Sequence, residues 1–463
     1  MKLVRYVGTD GCKDEGYIAS LSAAGTCVVD TIPPRANATI RFWLNNQHLQ
    51  VRMEPIVRDL ADLAVCIYLG DEVECRHEAE DTWTRTIELV FPVRDLVTWK
   101  AAHRPLIQTL DFLSGDRFSV TWLPATRIPR YGGHRVSVPC GFDTVCLFSG
   151  GVDSLIGAYK LLSGGSKILL VGHYADGVTS AAQAELFEFL RQKFADSVGL
   201  IQCRVARAQG SDPRYVLPEK VEESHRVRSF LFLALAIAVA RAGRIEHIEM
   251  PENGLIALNA PLGISRVGTL STRTAHPRFL LSLTAVARTL GAFTGRLRNP
   301  FLYSSKTDIV RDAPADLYPA LRNSVSCAHA GRIRWTGRPG IRHCGYCIPC
   351  IYRRAAFMEV GLDRSADYYR DVFGKLREMS EAEKADMRFL VRFSKRIIPM
   401  SEAQCQGMVV SQGGFPHNVG RHIGPSGASD YTRWSAMMRR WSSDFLTKVR
   451  QKSSGETRRI LGL

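Results

Sequence analysis

Residues 147–154 read LFSGGVDS. The stretch follows the apolar run TVCLF and leads into VDSLIGAYKLL, where Leu155, Ile156, Tyr159 and Leu162 recur at helical spacing. The pattern is a strand, a tight glycine turn and a helix. Backbone N–H groups at such a helix start lack partners within the helix, and the helix dipole is positive there, so the turn is an anion site. Gly150 and Gly151 let a phosphate approach the backbone without a Cβ in the way. Ser149 and Ser154 add hydroxyl donors, and Asp153 is placed to cap the helix or to hold a magnesium ion beside the phosphates. No lysine follows the glycines, so the loop is not of the kind that grips β- and γ-phosphates for γ-transfer.

Working outward, strand-like and helix-like segments alternate from Gly141: KILLVGH, TSAAQAELFEFLRQKF, LIQCRV, ESHRVRSFLFLALAIAVARAG and IEHIEMP follow in turn. Alternation of this kind predicts an α/β, Rossmann-like fold with a parallel sheet and helices on both faces. Ligands in such sheets sit beyond the carboxyl ends of the strands, which is where LFSGGVDS falls. Residues 141–326 are therefore read as a nucleotide-type α/β domain and 327–400 as a metal-binding and helical segment. Residues 401–463 are read as a Gly/Ser-rich mobile linker followed by a basic tail, which is either a docking helix or one that closes the fold. Residues 1–135 are read as a self-contained, β-rich accessory domain on the strand composition of ATIRFWL, TIELVFPV and RFSVTWLP, with residues 128–139 as a linker.

Composition bounds the rest. A chain of 463 residues, 45% hydrophobic and 23% charged, is long enough for more than one domain. A net charge of +16 suits an anionic partner, whether nucleotide, nucleic acid or acidic protein, and ordinary solvated surface also accounts for it. The N-terminus lacks the apolar core of a signal peptide, and FLFLALAIAVA at 230–240 is too short to span a bilayer, so a cytoplasmic protein without a membrane partner is expected.

In a reducing compartment, clustered cysteines read as metal ligands before disulfides. Of the 12 cysteines, Cys327, Cys344, Cys347 and Cys350 carry two CxxC steps and a remote fourth thiol, which suits a closed tetrahedral zinc site. An iron–sulfur cluster and four reduced core thiols are the alternatives. His329 and His343 lie near enough in sequence to compete as ligands, and are expected to make other contacts. Cys146 and Cys203 are expected to pack as small apolar residues.

SGGVDS resembles the SGGxDS signature of the PP-loop ATP pyrophosphatases. With the four cysteines, it makes residues 141–362 resemble QueC, the 7-cyano-7-deazaguanine (preQ0) synthase family. The resemblance implies that Ser149, Gly150, Gly151, Asp153 and Ser154 bind the pyrophosphate of ATP. It implies catalytic roles for Asp153, for Arg228 ahead of FLFLALA and for Lys306 in NPFLYSSKTDIV, and it makes the zinc structural. ATP, Mg2+ and Zn2+ are the implied cofactors. In that family a carboxylate of 7-carboxy-7-deazaguanine is adenylated, ammonia forms an amide, and a second ATP-dependent step dehydrates it to the nitrile. A deazaguanine pocket needs an acceptor for the N1–H and 2-amino edge. Glu252 in MPENG is the first choice, equally readable as a helix cap or surface ion pair. Asn253 and Asn259 are its helpers, and Arg273, Arg266 and His276 are groups for a carboxylate or phosphate. Tyr215, Trp335 and Tyr346 could stack on a base.

The chain departs from that family at HYADGVTS after the second strand, at RVRS, in the long Cys327–Cys344 spacing and in its added terminal regions. The fuller arrangement is similar to the enlarged QueC-like proteins of bacterial antiphage operons, especially those of the Qat system, QatC. That similarity implies one adenylation and one amine attack, the acceptor being the N-terminus of a partner protein from the same operon, QatB-like. A decorated preQ0 synthase using ammonia and a non-catalytic, nucleotide-gated scaffold are the alternatives.

Overall fold

A computed structural model describes residues 29, 37–49, 51–125, 138–174, 176–208, 222, 224–259, 273–333, 340–411, 419–425, 427 and 429–463. Tyr215, Arg266, Trp335 and most of the expected linker at 128–139 lie outside them. Nine strands are present among the described residues: β1 (Ala38–Leu44), β2 (Gln47–Leu49), β3 (Thr86–Val93), β4 (Arg117–Pro124), β5 (Thr144–Leu147), β6 (Ile168–His173), β7 (Val198–Arg207), β8 (His247–Glu249) and β9 (Arg296–Arg298). Seven form one sheet in the order β2-β1-β7-β6-β5-β8-β9, and β3 and β4 pair separately.

The run β7-β6-β5-β8 reverses direction of travel at β5, which is the crossing point where doubly wound sheets bind ligands. The chain leaves β5 into the glycine turn and leaves β8 into MPENG. The expected α/β, Rossmann-like sheet is thus present, with β1 and β2 added antiparallel at one edge.

By compactness the chain divides into two units, Met1–Val145 with Leu200–Ile248 and Phe279–Leu297, and Cys146–Gly199 with Glu249–Arg278 and Arg298–Leu463. In the first unit, the described residues of the region expected to be β-rich and self-contained carry two long helices beside their strands, and one of those strands joins the large sheet. MEPIVRDLADLAVCIYLG forms the helix Pro55–Val73, with proline at its start and most of its length buried. A second helix, Leu96–Ser114, is capped by Asp95, which accepts from the Thr98 backbone N–H at 3.0 Å. This helix is the crossover that lets β3 and β4 run parallel. β1 pairs along its whole length with β7, Ile40 opposite Val205 and Phe42 opposite Cys203, so ATIRFWL belongs to the large sheet.

In the second unit, the C-terminal region contains the helices Glu402–Ser411, Asp430–Lys452 and Gly455–Leu461 where a linker and tail are expected. Residues 412–418 lie outside the described residues. Helix Asp430–Lys452 buries Trp434, Met437, Met438, Trp441, Phe445, Leu446 and Val449 along one side, so it closes the fold. Trp441 meets Tyr352 edge-on at 5.0 Å and stacks on Phe445 at 4.9 Å. Each such side chain withdrawn from water contributes about 1.5–3 kcal/mol. No helix among the described residues is long and apolar enough to cross a membrane.

Candidate active site and metal centre

The glycine turn is shaped by close packing. Gly150 has φ +79°, a left-handed conformation that favours glycine, and a Cβ there would lie 3.2 Å from Gln183 and 3.3 Å from the Thr179 carbonyl oxygen. Gly151 precedes the helix Val152–Ser163, whose first turn receives no side-chain cap from it. Ser149 Oγ lies 3.2 Å from Ser154 Oγ and accepts from the Gly151 N–H at 3.3 Å, and Ser154 Oγ donates to the Gly151 carbonyl at 3.1 Å. From the far side, Val325 N–H donates to the Gly150 carbonyl at 2.7 Å, and Ser326 Oγ accepts from Val152 N–H at 3.3 Å. The sequence gives no signal for Val325 and Ser326, which are 174 positions away along the chain in the second case.

Asp153 is buried and does not cap its helix. Its Oδ1 pairs with the buried ammonium of Lys306, and its Oδ2 accepts from the Asn253 side-chain amide at 2.7 Å and from the Asn253 backbone N–H at 3.3 Å. The same amide donates to Glu252 Oε1 at 2.9 Å, so Asn253 stands between two carboxylates. Asn299 fixes this segment by donating to the Glu252 carbonyl at 2.8 Å and accepting from its N–H at 3.2 Å. Asp153, Glu252, Asn253 and Lys306 therefore form one polar cluster just past β5 and β8.

The cluster separates its two acids. Burial pushes both carboxyls up, but Lys306 and the hydrogen bonds from its neighbours hold Asp153 below the usual carboxylate range. Glu252, crowded by burial and then by the Asp153 charge, is pushed up to about 8. The folded chain thus keeps a proton on Glu252 that the unfolded chain has released. Stability is lost as pH rises from the ordinary glutamate range through about 8, and the loss is complete above that. Glu252→Gln carries no such proton. Its melting temperature relative to the parent is expected to rise between pH 5 and pH 9, whereas a difference that stays constant over that range would refute the shared-site electrostatics.

Other expected residues are placed as follows. Arg273 starts a short turn, Arg273–Ala275, packed against helix Gly254–Ala257, which Asn253 caps; burial lowers its guanidinium to about 10. His276 is buried beside Arg273 and Arg278, its pKa is lowered to about 3, and its Nδ1 accepts from the Arg278 N–H at 3.2 Å, as a helix-start residue does. Asn259 has φ +44° at the end of that segment. Arg228 belongs to the first unit, exposed at the start of helix Arg228–Gly243 with its guanidinium 5.5 Å from the Phe232 ring centre. Cys146 and Cys203 are fully buried, and burial raises both thiols. Glu249, at the end of β8, is a buried carboxyl that sequence reasoning missed; burial pushes it up to about 7.

The sulfurs of Cys327, Cys344, Cys347 and Cys350 all lie within 4.8 Å of one another, with Cys344 and Cys350 3.8 Å apart. Zn–S bonds of about 2.3 Å at tetrahedral angles put sulfurs roughly 3.8 Å apart, so the cluster fits a zinc ion. Backbone N–H groups of His329 and Cys344 donate to Cys327 Sγ at 3.3 and 3.2 Å, which suits thiolates. His329 and His343 pack their rings on Tyr346 and Tyr368, at 5.5 and 5.6 Å. Gly345, with φ +87°, allows the turn between ligands; a Cβ there would come within 2.0 Å of the Arg370 carbonyl.

The comparison with known proteins bears on this geometry. The chain is similar to a 7-cyano-7-deazaguanine synthase. That protein, from Methanoculleus marisnigri, is 26% identical over 241 residues, which make up 49% of this chain and 98% of the synthase. The relationship is distant, and about half of the chain has no counterpart in the synthase. No family model matches the chain, and no solved structure matches it.

Proposed function

We propose that the chain is an ATP-dependent, AMP-forming ligase acting on the carboxylate of a 7-deazaguanine. The observation that carries this reading is the phosphate-type turn at Ser149–Ser154 sharing one cluster with Lys306, Asn253 and Glu252. The distant similarity to a 7-cyano-7-deazaguanine synthase gives it a substrate class.

The substrate carboxylate oxygen attacks the α-phosphorus of ATP, the bond to the β-phosphate oxygen breaks, and pyrophosphate leaves. Gly150, Gly151 and the N–H groups that open helix Val152–Ser163 hold the departing anion, with Ser149 and Ser154 donating from their hydroxyls. Lys306 neutralises charge next to Asp153. Magnesium, held beside Asp153, would screen the phosphates when bound. An amine nitrogen then attacks the acyl carbon, AMP leaves with its electron pair, and the amine gives up a proton as the amide forms. Glu252, with a pKa near 8, is the group suited to take that proton. Arg273 and Asn253 complete the substrate side.

The acceptor amine is the N-terminus of a partner protein, and the setting is antiphage defence, as the resemblance to operon-borne QueC-like proteins implies. The zinc site is structural, with all four ligands used.

The experiment is to incubate the purified chain with ATP, magnesium and 7-carboxy-7-deazaguanine, with and without the proteins encoded beside it, and to record AMP by chromatography and masses of every component. Deazaguanine-dependent AMP with a mass gain on a neighbouring protein is expected. Free nitrile would make the chain a decorated preQ0 synthase. Absence of AMP with any deazaguanine would overturn adenylation and leave a nucleotide-gated scaffold.

A further inference from the structure

Lys306 and Asn253 reach Asp153 from two different segments, and both segments lean on the same helix. The Leu302 carbonyl, four residues before Lys306, accepts from the Trp434 indole N–H at 3.0 Å, both residues being buried. The same carbonyl lies where a Cβ on Gly254 would come within 2.4 Å, with Met437 Sδ at 2.7 Å. Gly254 N–H donates to the Ser304 carbonyl at 2.8 Å, which ties the Asn253 segment to the Lys306 loop. Tyr303 donates its hydroxyl to Asp430 at 2.5 Å, and the Arg433 guanidinium lies 3.5 Å from the Tyr303 ring centre. One residue ahead of Lys306, Ser305 forms a capping box with Asp308, and Arg440 grips Asp308 through two bonds of 3.1 and 3.0 Å. Trp434, Met437 and Arg440 are spaced three apart along helix Asp430–Lys452, so one helical face serves all of these contacts.

We propose that helix Asp430–Lys452 is the positioning element of the site: Trp434 and Arg440 set the Leu302–Lys306 loop so that Lys306 and Asn253 meet on Asp153. The proposal rests on reading that cluster as the adenylating centre. A pair of this kind is productive only when its geometry is held to a fraction of an ångström, and a six-residue helix starting at Lys306 does not hold itself.

Trp434→Phe removes the indole donor and keeps a ring, and Arg440→Gln acts from the half-exposed side of the helix. Lysines are labelled by reductive methylation and quantified one by one by mass spectrometry, alongside kcat and KM for AMP formation. Lys306, buried and paired in the parent, is expected to label at least tenfold faster in both variants, with Lys448 on the far part of the same helix unchanged. AMP formation should lose about tenfold in kcat with KM for ATP within twofold. Unchanged Lys306 protection in both variants would overturn the proposal. So would an equal rise at Lys448, which would mean that the helix has simply come away. If Lys306 alone is released but the parent chain forms no AMP, the positioning stands and the adenylation reading fails.

Discussion

Asp153→Asn is expected to lower AMP formation on the order of 10³-fold and to destabilise the chain. The reasoning starts from hydrogen-bond inventory. Asp153 Oδ1 faces the Lys306 ammonium and Oδ2 faces the Asn253 amide, so both partners are donors. An asparagine has one acceptor and one donor end. Whichever way it turns, its NH2 group meets another donor. Lys306 then loses its paired carboxylate, which costs about 3–5 kcal/mol when one partner of a buried pair is removed. At a few degrees per kcal/mol, the melting temperature should fall by roughly 10 °C. The loss of activity adds to this, because an ammonium that must find a new anion no longer lies where charge develops at the transition state. Lys306→Met removes the other partner, and the double variant should be less destabilised than the sum of the singles, since each single leaves an orphan that the double does not. Measured are Tm by calorimetry and AMP release at saturating ATP. An Asp153→Asn protein within tenfold of the parent rate would remove Asp153 from the centre of the site.

Much of this site is legible from local sequence. The strand–turn–helix at 144–163 announces itself because the apolar period changes where the two glycines stand, and the four-cysteine cluster does so because three of its members are spaced by two residues. What is not legible is tertiary. Nothing in MPENG indicates that Asn253 bridges Glu252 to Asp153, and Glu249 reads as one more polar position on a strand. The helix Pro55–Val73 is hidden because it is buried nearly all round, Asp59 and Asp62 included, so the sequence lacks a clear one-sided apolar stripe and its apolar part fits a buried strand as well as a buried helix. Helix Asp430–Lys452 is ambiguous for the opposite reason: its Trp and Met stripe fits a partner's surface or its own domain, and only packing on Tyr352, Leu302 and Gly254 decides. The +16 charge also says little locally, since the buried arginines Arg76 and Arg85 spend theirs on Asp116.

Removing zinc is expected to weaken ATP binding as well as stability, by a route visible in the segment Leu321–Cys327, which runs from the end of helix Tyr318–Asn323. Cys347 stands at the N-terminal boundary of helix Ile348–Glu359, and Cys350 lies within it. From the same helix, Arg353 donates to Ser324 Oγ at 2.6 Å and to the carbonyls of Leu321 and Arg322 at 3.1 Å. Cys327 is the other end of this clamp. Between the two ends lie Val325 and Ser326, which hold the Gly150 carbonyl and the Val152 N–H of the phosphate turn. A closed four-thiolate site in a zinc-finger peptide is worth about 10–16 kcal/mol, an upper bound here, where a packed core carries part of the load. Without the metal, four sulfurs in near contact either repel as thiolates or take up protons, and the Cys327 end is released. The purified chain should contain one zinc per molecule by plasma mass spectrometry. Cys347→Ser should lower Tm by on the order of 10 °C and weaken ATP binding at least tenfold by calorimetry. Cys405→Ser, at a buried cysteine outside the cluster, serves as control. Visible absorbance with stoichiometric iron would replace zinc by an iron–sulfur cluster. Full ATP affinity in a zinc-free, folded Cys347→Ser protein would show that the phosphate turn keeps its shape without the clamp, leaving the metal to stabilise its own segment alone.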